Sequence, residues 1–191
     1  MPKQFNRRSI RLKGYDYSKE GLYFVTICCQ DRAYRFGKVV NGQMALNAAG
    51  LMVDKWIQEI QNKFPDIQIE EYVIMPNHIH IIIENNGIAM NNGAVRVDLC
   101  VDPNDDNNDD IKRPAGGEHT GSPLHRVVQW FKTMTTNSYI QGVKTSGWEP
   151  FNKKIWHRNY YEHIIRDDRV YHNIAQYIQN NPLKWEADKF Y

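Results

Sequence analysis

Met75-Pro76-Asn77-His78-Ile79-His80-Ile81-Ile82-Ile83 reads as a turn feeding a strongly apolar β-strand. Successive strand side chains point to opposite faces, so His78 and His80 share one face while Ile79, Ile81 and Ile83 share the other. Two imidazoles spaced about 7 Å along one strand can close on a single ion. The same spacing also suits two hydrogen-bonded histidines at a strand end. The elements around this strand have to separate the two readings.

Outward from it, Ile67 to Met75 forms the preceding strand, and Pro76-Asn77 turns the chain back antiparallel. Leu22-Tyr23-Phe24-Val25-Thr26-Ile27-Cys28-Cys29 is β-branched and aromatic, a buried strand. Asn41-Gly42 between short apolar stretches predicts a hairpin. Asn47 then caps a helix running to about Phe64, with Ala49, Met52, Val53, Trp56, Ile57 and Ile60 on one face before Pro65 ends it. A second helix starts at Ser122 or Pro123 and buries Leu124, Val127, Val128, Phe131 and Met134. A last strand begins at Lys154-Ile155-Trp156-His157 and runs irregularly towards Ile165. Asp167 or Asp168 caps a third helix ending at Asn181, before Pro182. Two helices thus cross between strands of one antiparallel sheet. The fold class is α+β, a ferredoxin-like antiparallel sheet with helices on one face.

The chain has 191 residues, 41% of them hydrophobic and 12% aromatic, enough for one domain with a real core. Residues 1–20 form a basic arm carrying Lys3, Arg7, Arg8, Arg11, Lys13 and Lys19, and the domain spans 21–191. It is interrupted by a flexible acidic insertion at about 85–122, rich in Asn, Asp and Gly. Its aspartates do not follow the EF-hand spacing. Net charge is only +2, but the insertion hides a basic remainder that suits phosphate binding. Cys28, Cys29 and Cys100 give no disulfide framework and no CxxC pair, which fits a reducing cytoplasm. No run of about 18 apolar residues predicts a membrane span, and the basic N-terminus lacks the apolar core of a secretory signal.

On the third helix Val170, Ile174 and Ile178 are spaced by four and make its packed stripe. Tyr177 lies at the edge of that stripe, and Asn181 follows one turn later on the same face. A phenol and an amide oxygen so placed can meet a metal from above. They also suit a half-buried core tyrosine and a helix-terminal asparagine.

These residues together resemble the REP-associated tyrosine transposases, within the wider single-tyrosine HUH transposase superfamily. The resemblance is carried by Arg8-Ser9-Ile10-Arg11-Leu12 with Tyr15-Asp16-Tyr17, by Tyr23 to Cys28, and by Val73-Ile74-Met75-Pro76-Asn77-His78-Ile79-His80. It continues in Phe131-Lys132, in Trp156 to Arg166, and in Tyr177-Ile178 with Asn181-Pro182, and leaves out only 85–122. It implies an enzyme that cuts and rejoins single-stranded DNA, at palindromic repeat hairpins, with Mg²⁺ or Mn²⁺. His78 and His80 match the two metal-binding histidines and Tyr177 the nucleophile. Asn181 matches a third ligand, which is a glutamine in many insertion-sequence transposases. Arg7, Arg8, Arg11 and Lys13 are then expected on hairpin phosphates, and Arg126, Lys132 and Arg158 along the strand's path.

The implied chemistry is attack by the Tyr177 phenol on phosphorus, giving a 5′-phosphotyrosine and a free 3′-hydroxyl, reversible by another strand's hydroxyl without ATP. A phenol with pKa near 10 needs activation, and Lys154, Arg158, His163 or the metal are all open as its source. Tyr160 and Tyr161 are rival nucleophiles. Monomer and homodimer both remain open. The alternative function is a domesticated module that binds hairpin nucleic acid without cutting it.

Overall fold

The computed structural model describes residues 20–87, 123–188 and 190. Arg7, Arg8, Arg11 and Lys13 of the expected basic arm, and residues 88–122 of the expected insertion, lie outside the described residues. The sheet is built from β1 (Gly21–Cys28), β4 (Ile67–Ile74), β5 (His78–Asn85) and β6 (Tyr161–Ile165), in the order β4-β5-β1-β6. All three pairings are antiparallel. With α1 (Ala48–Lys63) between β1 and β4, and α2 (Pro123–Ser146) between β5 and β6, this is the ferredoxin-like order. β2 (Gly37–Val40) and β3 (Gln43–Leu46) form a separate hairpin. Its Asn41 and Gly42 both take left-handed φ, 51° and 72°, as a two-residue hairpin turn demands.

Registry decides what each face carries. Ile27, Ile79, Ile81 and Ile83 face α1 and α2, where they meet Ile57, Ile60, Val127, Val128 and Phe131. These side chains leave a residual void of only about 10 Å³, so this layer is close-packed. Asn47 caps α1 by accepting from Gly50 N at 2.9 Å, as its position before the apolar stripe predicts.

Phe24, Thr26, His78, His80 and Ile82 face the other way. There α3 (Asp168–Asn180) packs through Ile178 and Ala175 against Ile82 and Ile165. Asp167 caps α3, accepting from Val170 N at 2.9 Å. β4 carries a bulge between Ile69 and Tyr72. Both Glu70 and Glu71 of the bulge reach α3, accepting from the Tyr171 hydroxyl and the Gln179 amide, each at 3.4 Å.

β6 is shorter than the sequence predicts. Trp156 makes only an isolated bridge to Cys29, and its indole donates into the core to Thr135 Oγ1 at 2.8 Å. The Lys132 ammonium takes up the next three carbonyls, of His157, Arg158 and Asn159, at 2.9, 3.4 and 3.3 Å. Carbonyls turned towards one ammonium do not enter a strand ladder, so the chain becomes a sheet strand only at Tyr161.

Candidate active site

His78 and His80 are both buried, at 0% and 1% exposure. Their Nε2 atoms lie 3.1 Å apart, and both rings sit on the α3 side of β5. Each ring is held at its other nitrogen. His78 Nδ1 is 2.8 Å from Asn77 Oδ1, and His80 Nδ1 is 2.8 Å from Thr26 Oγ1. Asn77 Nδ2 donates to the carbonyls of Phe190 at 2.7 Å and Arg32 at 3.3 Å, which fixes which end of the amide is oxygen. An amide oxygen only accepts, so His78 carries its proton on Nδ1, and Nε2 of the neutral ring is unprotonated. Thr26 can donate or accept, and leaves the His80 tautomer open to change.

The helix α3 brings Tyr177 to this pair. Its hydroxyl lies 3.1 Å from His80 Nε2 and donates to Asp188 Oδ2 at 3.3 Å. Phe24 stacks on His80 at 5.3 Å between ring centroids and meets the Tyr177 ring edge-on at 6.2 Å. Tyr177 is 39% exposed, so its hydroxyl is anchored while the ring stays open to solvent. Burial, then the nearby Asp188 carboxylate, pushes the phenol up to about 12. The phenol is therefore neutral and a weak nucleophile as long as that negative charge is not offset.

Asn181 closes the group. Its Nδ2 donates to Asp188 Oδ2 at 2.9 Å, while its Oδ1 is buried with no hydrogen-bond partner among the described residues. His78, His80 and Asp188 offer ligand atoms within 4.8 Å of one another. A carboxylate, two imidazole nitrogens and an unmet amide oxygen form a donor set that fits a divalent cation. The sequence reading missed Asp188. It lies just past the 3-10 turn Pro182–Ala187, where no periodicity shows which way the chain returns. Its one signal was being the first aspartate after the Tyr-x-x-x-Asn-Pro segment.

The structure thus brings together His78, His80, Tyr177 and Asn181 from one chain. Tyr160 goes elsewhere: its ring stacks on His125 at 6.4 Å and lies 5.7 Å from the Lys132 ammonium. Tyr161 lies opposite Thr26 on β6 and is 51% exposed. Arg126 is half-buried on α2 and Arg158 is exposed. Lys132 is half-buried, and its ammonium is directed at the His157–Asn159 carbonyls. Among the described residues no helix is long and apolar enough to cross a membrane.

This architecture is shared with a solved REP-associated tyrosine transposase bound to a REP hairpin. That structure matches 94% of this chain and 76% of its own, with a TM-score of 0.52 and 18% identity, a likeness of fold. No family profile matches the chain. In sequence it is 41% identical over 189 residues to an uncharacterized protein of Haemophilus influenzae, spanning 97% of this chain and 93% of that protein. It is 26% identical over 176 residues to a candidate REP-associated tyrosine transposase of the same organism, spanning 88% and 74%. The chain belongs to one family with the first of these and is a relative of the REP-associated tyrosine transposases.

Proposed function

We propose that the protein cleaves and rejoins single-stranded DNA beside repeat hairpins through a covalent link to Tyr177. The observation that carries this is the Tyr177 hydroxyl, 3.1 Å from His80 Nε2, which is itself 3.1 Å from His78 Nε2. A nucleophile at hydrogen-bond distance from a paired-histidine donor set is the arrangement that phosphoryl transfer to tyrosine needs.

His78 and His80, with Asp188 or the Asn181 oxygen, would hold Mg²⁺ or Mn²⁺. Such an ion supplies charge neutralisation and polarisation at the scissile phosphate. The remaining steps belong to the chain. For His80 to offer Nε2, its proton sits on Nδ1 and is donated to Thr26 Oγ1. The Asp188 carboxylate, already accepting from the phenol, is placed to take the Tyr177 proton. The phenolate oxygen forms a bond to phosphorus as the bond from phosphorus to the 3′-oxygen breaks. The products are a 5′-phosphotyrosine and a 3′-hydroxyl once the leaving oxygen is protonated. A hydroxyl from another strand reverses the step with no loss of bond energy.

Candidate hairpins from beside the gene, incubated with Mn²⁺, should give a covalent protein–DNA adduct whose peptide maps to Tyr177. Tyr177→Phe should lose the adduct and keep hairpin binding. Wild-type protein that binds hairpins yet never forms an adduct would instead support a binding module. A DNA-linked peptide carrying Tyr160 or Tyr161 would move the nucleophile.

A further inference from the structure

Away from the histidines, a cleft of about 160 Å³ opens between the start of α1 and the end of α2. It is lined by Tyr34, Arg35, Asn47, Tyr139, Trp148 and Glu149, among others. Tyr139 is buried, and Trp148 meets it edge-on at 5.2 Å. The Arg35 guanidinium lies 5.8 Å from the centre of the Tyr139 ring and donates weakly to its hydroxyl, at 3.4 Å. Its Nε is buried with no hydrogen-bond partner among the described residues. The Nε itself is covered, so the guanidinium of Arg35 meets the cleft that it lines through its other N–H groups.

We infer that this cleft seats one unpaired base of the DNA strand, its ring against the aromatic walls and an acceptor on its edge bonded to Arg35. Aromatic walls accept any base face, and an arginine reads oxygen and nitrogen acceptors on a base edge. Glu149 lines the same cleft, and a carboxylate there opposes a phosphate while it can accept from an exocyclic amine. The cleft is also tied to the histidine strand. Arg35 N and Phe36 N both donate to the Pro76 carbonyl, at 2.8 and 3.1 Å, at the turn that delivers His78. The exposed Tyr34 ring lies 5.6 Å from the buried Trp185, whose ring lies 5.9 Å from the buried His78. Tyr34, which lines the cleft, is thus separated from His78 by one ring, and the cleft's Arg35 is bonded through its backbone to the turn that delivers the histidines. The inference rests on single-stranded DNA being the substrate and adds a specificity seat that the histidine site does not contain.

The test is an abasic scan of the single-stranded flank of a hairpin that wild-type protein binds, read by fluorescence anisotropy without added metal. One flank position should lose affinity about tenfold when its base is removed. A 2-aminopurine at that position should be quenched on binding. Arg35→Ala should flatten the scan and abolish the quenching, and so should Tyr34→Ala, which alters an exposed side chain and keeps the fold. A flat scan with hairpin binding intact overturns the seat and leaves the proposed function standing. So does a sensitive position that persists in both variants. Sensitivity to a methylphosphonate with none to base removal would make the cleft a phosphate site and overturn the base assignment. Failure to bind any hairpin would sink the substrate reading, and the seat with it.

Discussion

Asn77 presents its oxygen to His78 because its nitrogen is committed to two carbonyls, and that commitment keeps the His78 proton on Nδ1. Partners of this kind fix the tautomer that a metal-binding histidine needs. Asn77→Ala should therefore lower Mn²⁺ affinity by roughly 10–100-fold in calorimetric titration while helical circular dichroism is kept. Unchanged affinity would show that His78 is oriented by packing alone. Lys132 makes a different use of a polar side chain. Burial lowers its pKa from 10.5 to about 8. A depressed lysine is neutral in the folded state but charged in the unfolded one between those values, so folding gains stability as pH rises from about 8 to 10.5. Lys132→Met should lose this rise in denaturant midpoint over the same window, and an identical pH profile in both proteins would contradict the assignment. Strand and helix periods put His78 with His80, and Tyr177 with Asn181, on shared faces, but they left both pairs equally suited to packing, and only the family resemblance joined the four into one site. Sequence spacing could not supply Asp188, which reaches the site through an irregular return of the chain. Nor could it show that the Lys132 charge is turned towards three carbonyls, since that depends on where residues 157–159 fold.

At the scale of elements, α3 is the piece whose placement brings the Tyr177 hydroxyl to the histidines, and on the proposed function that placement is what its nucleophilic role depends on. It is not part of the β-α-β-β-α-β core, and its buried contribution is small, centred on Ala175 and Ile178. Its first turn depends on the Asp167 cap, 2.9 Å from Val170 N. Asp167→Ala should cost about 1 kcal/mol in equilibrium denaturation, with a loss in adduct formation that follows the fraying of α3. An equal loss of stability with full activity would show that Tyr177 is held from its C-terminal end, through Asp188. The strands β1, β4 and β5, the Asn41-Gly42 hairpin and the Asn47 cap could all be read from local chemistry, and the α3 cap to within Asp167 or Asp168. The short extent of β6 could not, because Trp156 obeys the core and not its neighbours in sequence.

The whole molecule divides its labour across one sheet. The face against α1 and α2 is a continuous apolar layer, whereas the opposite face has a small apolar patch beside the histidines. The two faces should respond differently to the same loss of volume. Ile81→Ala removes side-chain volume from the larger layer, 2% exposed and shared between both crossover helices. It should cost about 2–5 kcal/mol of global stability, because the surrounding helices cannot collapse fully into the space. Ile178→Ala removes the most buried α3 contact of the smaller cluster, at 1% exposure. Its cost should fall mainly on α3. Amide protection along 168–180 should drop to that of a locally opening segment, while the amides of β1 and β5 keep theirs. Hydrogen exchange on the two variants separates these outcomes. A uniform loss of protection in Ile178→Ala would mean that α3 unfolds only with the rest of the protein. Adduct formation should then fall only as far as global stability does. A loss confined to α3 would place the tyrosine on an element whose docking free energy is small and separate from that of the core. Activity would then be tunable from α3 without disturbing the fold that aligns the two histidines.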